Sequence, residues 1–389
     1  MTSLIVSPLL PSPSIPMRGT RSNEQFRLLS ERGHRVRAVV PVPWRPPAGR
    51  AAWRDLRRIP LLEQDHGVDI AHPRYLSLGA VGRIPGTARL ARSLFRRAVL
   101  GEVQQYVRGG GRIVQAYSCA LPGALTGDVG PARMVVSMWD DELFDVAPAR
   151  DDWREAIRDT LRSASHVVYV TPTLRKMGEE LAGPHRASVI PLAIDEYPDI
   201  TAEPAPHFTV VTAARLIRRK RIDAVLEAFA AFRSTVDAAR LVILGDGPEL
   251  APLIRQAETL NVTGDVSFPG MVSHREVIEA LARAHVFALP SERESFGTVY
   301  FEAMAQRVPV IGSRGEGIAD HVTDGVDGFL VQPGDVAGMV RLFQQLHAAP
   351  ERARTVADRG YALFARSGVR WPQYVDAYLS LYDELLSDR

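Results

Sequence analysis

The sequence predicts an α/β protein of two doubly wound domains, and three observations carry that prediction. Short β-branched runs alternate with amphipathic helical stretches along most of the chain. At 389 residues the chain is longer than one hydrophobic core usually covers. Near its middle the alternation is broken by "PLAIDEYPDITAEPAPH" (191–207), rich in proline and acid and without apolar periodicity, as a linker is.

The elements follow in order. "SLIVSPLL" (3–10) reads as a strand, "SNEQFRLLSERGH" (22–34) as a helix ending at Gly33, and "RVRAVVPV" (35–42) as a strand. "RIVQAY" (112–117), "ARMVVSMW" (132–139), the helix "DDWREAIRDTLRSA" (151–164), "HVVYVT" (166–171) and "ASVIPLA" (187–193) continue the pattern. Beyond the linker come "FTVVTAAR" (208–215), the helix "IDAVLEAFAAF" (222–232), "ARLVILGDG" (239–247), "DVSFPG" (265–270), "AHVFALP" (284–290), "VPVIGS" (308–313) and "GFLVQPG" (328–334). "WPQYVDAYLSLYDELLSD" (371–388) has apolar residues three and four apart and reads as a closing helix. The expected domains are 1–195, completed by the helix over 371–389, and 196–370. Two such domains across a linker form a cleft where the carboxyl ends of both sheets face one ligand.

Composition is that of an ordinary soluble globular protein, 46% hydrophobic and 24% charged. The single cysteine, Cys119, excludes an internal disulfide and suits a reducing compartment. No apolar run approaches the ~20 residues of a membrane span, and no basic region precedes the N-terminal apolar run, so a cytoplasmic location is expected. The net charge of +2 conceals an asymmetry: residues 1–195 sum to +8 and 196–389 to −6. "RIPGTARLARSLFRRAVL" (83–100), basic with interleaved leucines, reads equally as a contact for an anionic membrane surface, at the inner face of the membrane, or as a plain surface helix. Nucleic-acid binding is not expected, because no recognition motif or stacking surface accompanies the basic half. The ten histidines lack metal-ligand spacing, and "RGGGR" (108–112) reads as a turn.

Two stretches carry chemistry. In "LPSERESFGTVYFEAMAQRVPVIG" a buried strand runs into a turn and then a helix beginning near Gly297, with Glu294 ahead of it and Glu302 within it. Free N–H groups in a helix's first turn suit an anion or sugar hydroxyls, and the two carboxylates can grip two parts of an elongated ligand. The other reading is a helix-start glutamate and a solvated helical one; on spacing alone it is the stronger. In "AARLIRRKRIDAVLEAF", Arg215 and Lys220 flank a short loop after a strand end, where they suit a diphosphate; the alternative is a solvated cluster. Lys176 and Lys220 are the only lysines, which favours a role for Lys220.

Together these stretches resemble the nucleotide-sugar-binding domain of retaining glycosyltransferases of family 4. "RLIRRKRIDAVLEAF", "LVILGDGPE", "VSFPGMVSHREVIEALARAHVFALPS", "ESFGTVYFEAMAQRVPVIGS" with its Glu-x7-Glu motif, and "GIADHVTDGVDGFLVQPGD" match in order from about 208 to 340. The resemblance implies a GT-B fold, two Rossmann-like domains facing across a cleft, and transfer of a sugar from a UDP- or GDP-sugar to an acceptor hydroxyl without metal or cofactor. It implies that Arg215 and Lys220 bind the diphosphate and that Glu294 holds donor-sugar hydroxyls. The backbone of Ser295, Phe296, Gly297 and Thr298 would touch sugar and phosphate, Glu302 would hold the ribose, and Val272 would meet the base, with Asp246 on the donor side.

The N-terminal half resembles the family more loosely through "GHRVRAVV", "SHVVYVTPTLRKMGEEL" and "ASVIPLAID". The family's Gly-Gly loop is reduced to "MRGTR", leaving Gly19 as the close-approach glycine. Trp139 and Asp140 stand where a histidine often follows the fifth strand, and Leu192-Ala193 replaces Asn-Gly. Trp139 reads as a stacking surface for an acceptor or as core. The acceptor hydroxyl is expected on a cell-surface glycan, a lipid-linked precursor or a secondary metabolite. A GT-B epimerase, a phosphorylase and a sugar-nucleotide-binding module without turnover are the competing functions.

Overall fold

The computed structural model describes residues 2–7, 20–44, 56, 58–77, 86–139, 142–195, 200 and 205–388. The chain divides into two compact units, Met1–Ile190 with Trp371–Arg389, and Pro191–Arg370.

In the first unit the elements are β1 (Thr2–Val6), α1 (Thr20–Glu31), β2 (Arg35–Val39), β3 (Val42–Trp44), β4 (Leu62–Asp65), β5 (Val68–Ala71), β6 (Arg74–Leu76), α2 (Ala88–Arg108), β7 (Ile113–Tyr117), β8 (Arg133–Met138), α3 (Asp151–Ser163), β9 (His166–Tyr169), α4 (Pro172–Ala182) and β10 (Ala187–Val189). The main sheet has the order β10-β9-β8-β7-β1-β2-β5-β4. It is parallel except where β4 folds back on β5 as a hairpin. Central strands buried on both faces need largely apolar runs: Leu4, Ile5 and Val6 of β1 are fully buried, and all five residues of β7 are buried, with Gln115 its polar member. β3 and β6 form a separate parallel pair.

In the second unit the elements are β11 (Phe208–Ala213), α5 (Ile222–Arg233), β12 (Ala239–Leu244), α6 (Leu250–Thr259), β13 (Val266–Gly270), α7 (His274–Ala282), β14 (Val286–Ala288), α8 (Thr298–Ala305), β15 (Val310–Ser313), β16 (Phe329–Val331), α9 (Val336–Ala348) and α10 (Pro350–Arg366). Its six strands are parallel in the order β13-β12-β11-β14-β15-β16. Strand order reverses between β11 and β14, so the loops leaving their carboxyl ends diverge and open a crevice. α5 is anchored under it by Ile222, Val225, Leu226, Phe229 and Phe232, all buried.

The last helix, α11 (Trp371–Ser387), returns to the first unit and packs on α1. Tyr374, Tyr378 and Tyr382, four residues apart, lie on its buried face. The Tyr374 hydroxyl donates to Gln25 Oε1 at 3.0 Å, the Tyr378 hydroxyl bonds the Ser137 hydroxyl at 3.0 Å, and the Tyr382 hydroxyl donates to Gln115 Oε1. Gln115 and Ser137 are buried strand residues joined by their own 2.8 Å bond, so α11 completes a polar network that the sheet alone leaves open.

Candidate functional site

Of the candidate residues of the second unit, Arg215, Lys220 and the segment from Glu294 to Thr298 follow β11 and β14, where strand order reverses, whereas Asp246 follows β12 and Val272 follows β13. After β11 the chain turns through Ala214, Arg215 and Leu216 against the loop after β12. Ala214 N–H donates to the Leu244 carbonyl at 3.1 Å, Leu216 N–H to the Asp246 carbonyl at 2.9 Å, and Glu249 N–H to the Leu216 carbonyl at 3.0 Å. Glycine is required here: at Gly245, with φ +124°, a Cβ would sit 1.9 Å from the Ala214 carbonyl oxygen, and at Gly247 2.3 Å from that of Leu216. Arg215 stands exposed on this backbone platform. Asp246, also exposed, accepts from Gly247 N–H at 2.7 Å.

A short 3-10 turn, Arg218–Lys220, leads to Arg221, whose left-handed backbone (φ 51°) starts α5. The turn locks onto the loop after β14. Glu292 N–H donates to the Arg219 carbonyl at 2.7 Å, Arg219 Nη1 to the Arg293 carbonyl at 2.6 Å, and Arg221 Nη1 to Glu292 Oε1 at 2.5 Å. The Glu292 hydrogen bond raises the Arg221 pKa. At the centre, Lys220 Nζ donates to Glu294 Oε2, with side chains 13% and 9% exposed. The structure thus brings together the two residues that sequence reasoning gave to different parts of one ligand.

Three contacts set the backbone of Glu294. Its N–H donates to Glu316 Oε2 at 2.7 Å, and its carbonyl accepts from Gly317 N–H at 2.8 Å. The Arg293 N–H also reaches the Glu316 carboxylate, and Arg293 takes a left-handed φ of 55°. Burial pushes the Glu316 carboxyl above the usual range, against those two N–H bonds; the Glu294 and Glu292 charges add to the rise. Gly297, at φ 75°, precedes α8, and a Cβ there would lie 2.5 Å from the Tyr300 ring and 3.3 Å from Glu294 Cγ. Ser295 and Thr298 are half-buried beside it. The Phe296 side chain faces inward, stacked on Phe301 at 5.0 Å with His321 edge-on, so this residue offers the site backbone only.

Glu302 lies on α8 with its side chain 7% exposed, and His274 Nε2 stands 3.3 Å from its Oε1. His274 Nδ1 lies 3.6 Å from Asp195 Oδ2. Val272 is half-buried just ahead of α7, whose start is closed by a capping box of Ser273 and Glu276. Glu316 and His274 escaped sequence reasoning; each was visible only as a polar residue at a turn or helix start.

Of the first unit's candidates, Trp139 is half-buried and packs on Tyr117 at 4.0 Å between centroids. Gly19 and Asp140 lie outside the described residues. Close to Trp139 along the chain is a buried carboxylate that sequence reasoning missed. Glu142 accepts from the Ser118 hydroxyl, from Cys119 N–H at 2.7 Å and from Ala120 N–H at 2.9 Å, and burial raises its pKa. Ser118 holds φ +91°, which turns those N–H groups toward it. Among the described residues no group of three or more His, Cys, Asp or Glu could hold a metal ion, and no helix is long and apolar enough to cross a membrane.

Residues 193–362 match the family described as Glycosyl transferases group 1. The chain is 32% identical over 266 residues to the GDP-mannose-dependent alpha-(1-6)-phosphatidylinositol monomannoside mannosyltransferase of Mycolicibacterium smegmatis, covering 63% of this chain and 69% of that one. The chain belongs to the group 1 glycosyltransferases. The chain is also 36% identical over 173 residues to the N-acetyl-alpha-D-glucosaminyl L-malate synthase of Bacillus anthracis, where the match spans 43% of each chain. Its alignments therefore span from under half to just over two thirds of these relatives' lengths. Sucrose-phosphate synthase from Thermosynechococcus elongatus shares its fold with a TM-score of 0.78 and 18% identity over 100% of both chains. Anabaena HepE in complex with UDP-glucose does so with a TM-score of 0.73 and 17% identity over 99% of this chain and 100% of that one. The fold of the group 1 glycosyltransferase is GT-B, as expected from the sequence.

Proposed function

We propose that the chain is a retaining glycosyltransferase of family 4, transferring a sugar from a nucleoside-diphosphate donor to an acceptor hydroxyl. The observation that carries this reading is the Lys220–Glu294 contact at the strand-order reversal, three residues before the left-handed Gly297 that opens α8. Arg215 and Lys220 supply positive charge for the departing diphosphate, and the first-turn N–H groups of α8 add to it, so the step needs no metal. Glu294 accepts hydrogen bonds from the donor sugar. Glu302 holds the ribose, with the base at Val272; the Asp246 turn lies on the donor side. In the transfer, the bond between the anomeric carbon and the diphosphate oxygen breaks as the acceptor oxygen bonds that carbon from the same face. The acceptor's proton passes to the departing phosphate oxygen. Glu294 is a hydrogen-bonding group here and not a covalent nucleophile.

UDP- and GDP-sugars are the donors of choice, in keeping with the GDP-mannose dependence of the Mycolicibacterium smegmatis mannosyltransferase and the UDP-glucose bound to HepE. The second unit binds the donor and the first, completed by α11, the acceptor. A melting-temperature screen against UDP-, GDP- and TDP-sugars identifies the donor by the largest upward shift. Glu294→Gln is expected to keep the shift produced by the matching nucleoside diphosphate and to lose turnover of the sugar donor. Unchanged turnover would sink the role assigned to Glu294, and binding without turnover in the wild type would make the chain a binding module.

An anionic membrane surface is the proposed site of action. Arg89, Ser93, Arg96 and Arg97 form an exposed stripe on α2 beside Leu90, which is 53% exposed, while Arg92 points inward to the Cys119 and Ala120 carbonyls. Arg89→Glu with Arg97→Glu is expected to abolish co-flotation with phosphatidylglycerol vesicles at low salt. Retained flotation would refute the contact.

A further inference from the structure

We propose that Glu316 is a positioning residue for sugar transfer, its carboxylate gathering the N–H groups of Arg293 and Glu294 and so holding the Glu294 side chain beside Lys220. The inference rests on the donor role proposed above for Glu294. Glu316 comes from the loop after β15, whereas Glu294 follows β14, so the contact ties two neighbouring strand ends together. It has no slack. The Gly317 N–H returns a 2.8 Å bond to the Glu294 carbonyl, and a Cβ on Gly317 would lie 2.3 Å from the Ser295 carbonyl oxygen.

Two features show that the arrangement costs free energy and is held by the carboxylate. Arg293 occupies a left-handed conformation that is uncommon for residues other than glycine, and that turn is what points two successive N–H groups at one acceptor. Glu316 also brings a third carboxylate close to Glu292 and Glu294, whose own charges are answered by Arg221 and Lys220. A neutral amide or hydroxyl would serve as a mere spacer without that repulsion. An ionised carboxylate is the acceptor that binds two N–H donors most strongly. Because burial displaces the Glu316 carboxyl upward, acidification protonates it before an ordinary glutamate and releases the loop.

The test uses the full chain with its identified sugar donor, and reads kcat, KM, pH profile, nucleoside-diphosphate affinity and melting temperature for Glu316→Gln, Glu316→Asp, Glu294→Gln and the double variant Glu316→Gln/Glu294→Gln. Glu316→Gln is expected to lose on the order of 10–100-fold in kcat, with donor KM and UDP or GDP affinity held within about threefold. Its acid limb moves to lower pH, since glutamine does not titrate, and Glu316→Asp restores part of kcat. The double variant is expected to be no slower than Glu294→Gln alone, because both act through one side chain. Losses that multiply in the double variant, an unmoved acid limb, or a fall in kcat matched by equal falls in nucleotide affinity and melting temperature would each overturn the positioning role. Full activity of Glu294→Gln instead removes the donor role itself, whatever Glu316 does.

Discussion

Gly245 shows how much of the donor side depends on backbone. With φ +124° and the Ala214 carbonyl oxygen 1.9 Å from where a Cβ would stand, alanine forces apart the two loops that carry Arg215 and Asp246. Gly245→Ala is expected to cost on the order of 3 kcal/mol. A melting temperature within about 2 °C of wild type would contradict this, since a unit of this size loses roughly 2–4 °C per kcal/mol. At this scale the sequence was informative about residues whose chemistry is in the side chain. Lys220 and Glu294 stood out by motif and by the rarity of lysine. Glu316 did not, because it acts through the backbone of a residue 22 positions away, and no local pattern encodes that partnership.

Among the elements, α11 is the clearest case of polar groups deciding stability. Tyr382→Phe strips Gln115 Oε1 of its tyrosine donor inside the core, an expected cost of about 1–3 kcal/mol. Tyr378→Phe leaves Ser137 still bonded by the Gln115 amide and is expected to cost less, about 0.5–1.5 kcal/mol. Urea midpoints of the two variants in the reverse order would show that the network is apportioned otherwise. Helices such as α11 were legible because a 3.6-residue period survives over many turns. Strand ends were less so. "AHVFALP" reads as strand through residue 290, yet β14 stops at Ala288, because the buried loop beyond it must be apolar too. The β4 strand, "LEQD", has no β-branched residue and carries no strand signal; its hairpin with β5 holds it in place.

Across the molecule, acid is expected to weaken the first unit. Burial holds His34 and His166 down at about pKa 4, against about 6.5 for the unfolded chain. The folded state therefore favours their neutral forms. Their contribution is complete above about pH 6.5 and is lost as pH falls toward 4, on the order of 1–2 kcal/mol per histidine by pH 5. His34→Gln should flatten the decline in melting temperature between pH 7 and 5; an unaltered slope would locate the titration elsewhere. The GT-B fold itself was legible in the sequence, since five ordered motif matches and the alternation of elements point the same way.

The chain leaves the first unit at Ile190 and re-enters it at Trp371. The first unit is therefore written as an interrupted sentence whose last clause arrives late. A ribosome adding about 5–20 residues per second needs roughly 10–40 s to make the intervening stretch, and until then the surface awaiting α11 presents Gln115 and Ser137 without their tyrosines and Gln25 with Tyr117 alone. The nascent chain must wait in that condition while Pro191–Arg370 is made, and a chaperone that shields one sheet face during the interval would raise the yield of finished protein.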